Sequence, residues 1–149
     1  MNQKQDNTNE CEKVIRKFSH DIGDIVGVLS GYSGILNMIA ENRVNVNTAY
    51  VTELIQRIKD NQHATESKFV DIINRMQAQP VDPECTFKHL SEQAQVVYES
   101  EYHTWYALIN EVETAYLTTE LIDKQLIKQL THHADQLAAF RQSILNRLQ

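Results

Sequence analysis

Proline and glycine are scarce in this chain, at two and four in 149 residues. No stretch alternates apolar and polar residues with period 2 over any useful length, so strands are not expected. Cysteine is reduced to Cys11 and Cys85, which make neither a CxxC pair nor a disulfide framework; the plain reading is a reduced, cytoplasmic protein. Basic residues are in the minority, 14 Lys and Arg against 20 Asp and Glu, for a net charge of -6. That balance disfavours nucleic acid as a partner, because phosphate contacts need clustered cations. No apolar run approaches the roughly 20 residues of a bilayer span, so no membrane role is expected. Residues 1–10 are polar and lack the apolar core of a signal peptide, and read as a flexible tail.

What is present is helix-forming. Long segments are rich in Leu, Ile, Gln, Glu, Lys and Ala, and the length suits one domain with a real core. A first helix is expected over about Asn9 to Ala40. The Asn-rich stretch from Glu41 to Thr48 connects it to a second, from about Ala49 to Ala78, with Asn47 or Thr48 as N-cap. Pro80-Val81-Asp82-Pro83 is the clearest boundary. A third helix is expected from Glu84, with a break near Thr114 to Thr119, where Thr118 can cap a fourth. The expected fold is all-α, an antiparallel four-helix bundle of two hairpins, residues 11–79 and 84–149. The second hairpin either joins the first in one compact domain or hangs from it as a C-terminal appendage.

All four glycines fall between Gly23 and Gly34. Each costs about 1 kcal/mol in a helix interior, so four together need a reason. At about 100° per residue, His20, Gly23, Gly27, Gly31 and Gly34 share one side of the first helix. Phe18, Ile22, Ile25, Leu29 and Leu36 share the opposite side. One face is therefore core. The other carries a histidine above a strip without side chains, where another backbone could approach.

His20 is followed directly by Asp21, and Asp24 lies one turn further on. A phosphoryl-accepting histidine needs a free ring nitrogen, access to solvent and a carboxylate to orient the ring. Lys13, Arg16 and Lys17, up to two turns earlier, could balance a phosphoryl group's charge. Read without further context, such a histidine is more often a solvated residue, and GxxxG spacing more often marks helix packing.

Phe18-Ser19-His20-Asp21-Ile22, followed by Leu29-Ser30-Gly31-Tyr32, resembles the phosphoacceptor helix of sensor histidine kinases. That helix reads F-S-H-E-L-R-T-P-L-x-x-I-x-G-Y. Glu53-Leu54-Ile55-Gln56-Arg57-Ile58-Lys59-Asp60-Asn61 is similar to the start of the family's second helix. The resemblance covers roughly residues 12–78. Gly23 departs from the family's Arg or Lys, Asp24 from its Thr or Asn, and Ile25 from its Pro. The polar residue at the Asp24 position serves phosphatase activity in the family, so that activity is not carried over. No ATP-binding domain follows residue 83, so an ATP-dependent kinase is not expected and no cofactor is implied.

The resemblance implies a stand-alone histidine phosphotransfer protein. His20, Asp21 and Asp24 would do the chemistry, while Lys17, Gly23, Gly27, Gly31 and Gly34 would meet a response-regulator receiver domain or a histidine kinase. The alternative is a non-catalytic helical protein that binds or inhibits such a kinase or regulator. Hairpins of this family dimerise, which favours a homodimer over a bundle completed within one chain. Elsewhere, Tyr98, Tyr102, Trp105 and Tyr106 form an aromatic band that reads mainly as core. His132 with Asp135 has helical spacing for a metal but reads as a surface pair, and no metal site is expected.

Overall fold

The computed structural model of the chain describes residues 3–79 and 87–147, with side chains from residue 10 onward. The described residues form six α-helices and one π-helical turn, with no strand among them. They are α1 (Gln3–Ala40), α2 (Thr48–Asp60), α3 (Gln62–Gln77), α4 (Phe87–Val97), the π turn Tyr98–Tyr102, α5 (His103–Thr119) and α6 (Lys124–Asn146). The pieces line up as four helical bodies: α1; α2 with α3; α4, the π turn and α5; and α6. The all-α bundle read from the sequence is thus what the described residues form.

Paired residues give the directions of the bodies. Asp21 meets Arg75 and Asp24 meets Lys68, so α3 runs against α1. Glu66 meets Tyr98 and Lys59 meets Glu113, so the third body runs against the second. Gln93 meets Arg147 and Glu101 meets His133, so α6 runs against the third. Between the four bodies lies one apolar core, with Ile22, Leu29, Leu36, Ile58, Phe69, Ile72, Trp105, Ile109, Leu130 and Ile144 all fully buried. One chain closes this core by itself.

Local chemistry explains most helix ends. At the end of α1, Arg43 N–H donates to Met38 O and Asn42 N–H to Ile39 O, with Asn42 left-handed at φ 58°. This is a Schellman stop in which asparagine stands in for the usual glycine. Asn47 caps α2 as expected, its side chain accepting from Tyr50 N–H. At the fourth helix the cap is not Thr118. Thr114, Thr118 and Thr119 instead turn their hydroxyls back onto carbonyls four residues earlier, and α5 continues to Thr119. Asp123 then caps α6, accepting from Gln125 and Leu126.

Other boundaries also move. α1 is helical from Gln3, six residues before the expected start and across the stretch read as a tail. The expected single second helix is two, meeting at Asn61. There the Thr65 hydroxyl lies 3.2 Å from Asn61 O and 3.1 Å from Gln62 O, and Tyr102 donates to Gln62 O at 3.0 Å. Side-chain hydroxyls that reach helix carbonyls compete with the backbone ladder. The Pro80–Pro83 boundary and the expected start at Glu84 lie outside the described residues.

Two further readings change. Cys11 is disulfide-bonded rather than a reduced thiol; the chain's other cysteine, Cys85, lies outside the described residues. The stretch Glu10–Ala40 does have the length and apolarity of a membrane span, with a window of mean hydropathy 1.4. Single polar residues interrupt the run, so no unbroken apolar stretch stands out in the sequence. In the bundle its apolar side faces the core, with Ile22, Ile25, Leu29 and Leu36 at 0–1% exposure.

Candidate functional site

His20 stands on the outer side of α1, its side chain 72% exposed. The residues around it are set by helix geometry: Ser19 and Asp21 turn inwards, while Lys17 and Asp24 flank the ring one turn away on either side. Asp21 is the fixed point. Its side chain is only 6% exposed, and it accepts from Arg75 Nη2 at 2.8 Å and Lys17 Nζ at 3.0 Å. Burial alone would raise its pKa. Hydrogen bonds from Arg75, Lys17 and His20 outweigh that and hold the carboxyl below its usual range.

Arg75 is held in turn. Its Nε donates to Asp71 at 2.9 Å, and its guanidinium lies 5.6 Å above the Phe18 ring. The chain Asp71–Arg75–Asp21 therefore ties α3 to α1 directly beneath the histidine. Asp24 is exposed and receives Lys68 Nζ at 2.8 Å, which lowers its pKa despite some desolvation.

His20 Nδ1 lies 3.5 Å from Asp21 Oδ1 and 3.8 Å from Asp24 Oδ2. Ionised carboxylates only accept, so the neutral ring carries its proton on Nδ1. That leaves the Nε2 lone pair on the far edge of the ring, with no protein partner among the described residues. His20, Asp21 and Asp24 together offer three ligand atoms within 4.8 Å of one another. Their carboxylates are already paired with Arg75, Lys17 and Lys68, so the cluster is poorly suited to hold a cation.

The structure divides the glycine strip. Gly27, Gly31 and Gly34 face open space, with no atom within 4 Å of where a Cβ would stand. Gly23 is different: a Cβ there would lie 2.7 Å from Arg141 Nε. Arg141 crosses from α6 and donates from Nε to Ser19 O at 3.0 Å. Gly23 is therefore covered by the protein itself and does not belong to the open docking strip read from the sequence. Its lack of a side chain admits Arg141. Next to it, the Ser19 hydroxyl is buried without a hydrogen-bond partner among the described residues.

Lys17 pairs with Asp21 while its side chain stays 61% exposed. Arg75, Lys68 and Arg141, which complete the site, come from positions far along the chain, and nothing in the local motif announces them. The aromatic band is core as read: Tyr98, Tyr102, Trp105 and Tyr106 are 0–7% exposed. The His132 and His133 rings meet edge to face, and His133 pairs with Glu101 at 2.5 Å.

No protein-family model, curated protein or solved structure matches this chain.

Proposed function

We propose that this chain is a stand-alone histidine phosphotransfer protein, exchanging a phosphoryl group between His20 and the aspartate of a response-regulator receiver domain. The observation that carries the reading is the setting of His20: an exposed ring, Nδ1 turned to a fixed buried carboxylate, and Nε2 unengaged. The likeness of Phe18–Tyr32 to the phosphoacceptor helix of sensor histidine kinases supports it.

In the transfer, the Nε2 lone pair attacks the phosphorus of the receiver's aspartyl phosphate. The N–P bond forms as the P–O bond breaks, and the aspartate leaves with the bonding electrons. The ring keeps its Nδ1 proton and becomes positive, a charge that the Asp21 carboxylate balances. The reverse step returns the phosphoryl group. An ATP-consuming histidine kinase would act in trans.

The test is acid-labile phosphate on the intact protein after incubation with a receiver domain charged by acetyl phosphate. Label is expected on the wild type and none on His20→Gln. Because His20 is exposed, His20→Gln should change stability by no more than about 0.5 kcal/mol. Label that persists in the variant, or none on the wild type, overturns the reading.

The open strip at Gly27, Gly31 and Gly34 favours one alternative, a non-catalytic protein that binds or inhibits a histidine kinase or response regulator. Binding would then survive His20→Gln. A homodimer would have to form through outer faces of this kind, since each chain completes its own core.

A further inference from the structure

Four cations approach His20 from three helices: Lys17 on α1, Arg75 and Lys68 on α3, and Arg141 on α6. Three of them are neutralised. Lys17 and Arg75 share Asp21, and Lys68 holds Asp24. Arg141 has no carboxylate partner among the described residues. Its one hydrogen bond, from Nε, goes to the carbonyl of the residue before His20.

We infer that Arg141 is the oxyanion-binding residue of this site, a half-buried guanidinium that takes the oxygens of a phosphoryl group at His20. The inference rests on the phosphotransfer reading and assigns its charge-stabilising group. Three observations carry it. The Nε bond to Ser19 O fixes the guanidinium on α1 while leaving both terminal nitrogens without an acceptor among the described residues. The guanidinium lies across Gly23, one turn from His20, where residues three apart have neighbouring Cβ positions. Any side chain at position 23 would displace it, so the glycine and the arginine suit one another.

An arginine whose fork is free is a planar double donor matched to phosphate oxygens. It brings beside His20 a positive charge that no carboxylate among the described residues cancels, where an incoming phosphoryl group brings negative charge.

The experiment uses the full chain and phosphoramidate, whose P–N bond breaks to release ammonia as the N–P bond to Nε2 forms. Arg141→Gln is expected to accept phosphate about tenfold more slowly than the wild type, with Arg141→Lys between them. Gly23→Ala tests the same point without removing the charge: the added methyl pushes the guanidinium off its seat and should slow labelling several-fold. Circular dichroism establishes that each variant is folded. Wild-type labelling rates in Arg141→Gln and Gly23→Ala would overturn the inference while leaving the His20 reading intact. If the wild type takes no label, the His20 reading fails, and titration with inorganic phosphate decides the inference. Movement of the His20 ring resonances that is lost in Arg141→Gln supports the anion site; no movement in the wild type overturns it.

Discussion

Two polar clusters tie the helices together, and they are built from opposite materials. The one around Asp21 joins α1 to α3 at the surface with full charges: Asp71, Arg75, Asp21, Lys17, and beside them Asp24 with Lys68. The other joins α3 to the third helical body in the interior, with neutral hydroxyls alone. There Thr65 Oγ1 lies 2.6 Å from the Tyr102 hydroxyl and 3.0 Å from that of Tyr106, while Tyr102 donates to Gln62 O. Close by, Trp105 Nε1 donates to Ser33 Oγ, which donates onward to Leu29 O. The difference follows from desolvation: buried charge costs several kcal/mol per ion, whereas a hydroxyl with partners costs little. Charge is kept where water shares its cost, and there it stays available for chemistry.

The largest effect should come from breaking the interior cluster. Trp105 is fully buried at the centre of the core, and Trp105→Ala should cost about 3–5 kcal/mol, read as a fall in the urea midpoint. Tyr102→Phe keeps the ring and removes only the hydroxyl. It should cost about 1–2 kcal/mol, because Gln62 O and Thr65 lose a buried partner. A Tyr102→Phe variant as stable as the wild type would mean that ring packing alone, and not the hydroxyl network, holds the break at Asn61.

The charged cluster should yield next, and at the other end of the pH scale. Asp21 titrates lower in the folded chain than in the unfolded one, so its contribution is present above about pH 4 and is lost as pH falls through the folded value. Asp21→Asn should remove about 1–2 kcal/mol at pH 7, less than a fully buried pair because Arg75 is 36% exposed, and should flatten the acid limb of the stability curve. Tyr98, which lies outside the hydroxyl cluster and links the third helical body to α3 through the Glu66 carboxylate, fails in the opposite direction. Burial, then the bond to Glu66, pushes the Tyr98 phenol up to about 12, so its contribution is present below about pH 10 and drains away between there and pH 12. An acid limb unchanged in Asp21→Asn would show that the ion pairs are ornamental to stability.

How much of this was legible in the sequence divides along the same line. The core stripe of α1 is periodic, so Phe18, Ile22, Ile25, Leu29 and Leu36 could be read directly, as could the Asn47 cap. The π turn was not legible, because Tyr98-Glu99-Ser100-Glu101-Tyr102 has no local signal that adds a residue to a helical turn. The break at Asn61 has no Gly or Pro to announce it, and the Tyr102 hydroxyl that reaches Gln62 O beside it lies 40 residues away. At the site, the local triplet His20, Asp21 and Asp24 was readable from spacing. Arg141 lies 122 positions from the carbonyl it binds, and no periodicity connects them.

The smallest effects, and the ones that bear most directly on the strip, belong to the glycines. None of the four has positive φ, so no backbone conformation requires them. At Gly27, Gly31 and Gly34 no neighbour requires them either, since an added Cβ meets nothing. Alanine at each should therefore stabilise the chain by about 0.5–1 kcal/mol through helix propensity alone. Gly23→Ala should gain less than these or lose stability, because its methyl must move Arg141. Thermal melts of the four single variants separate the two classes. If Gly27→Ala and Gly31→Ala destabilise the isolated chain, the strip is a seam that packs against something within the molecule or a second copy of it. If they stabilise it while weakening capture of a phosphorylated receiver, the glycines are kept at a cost to the helix because the partner's backbone needs the space.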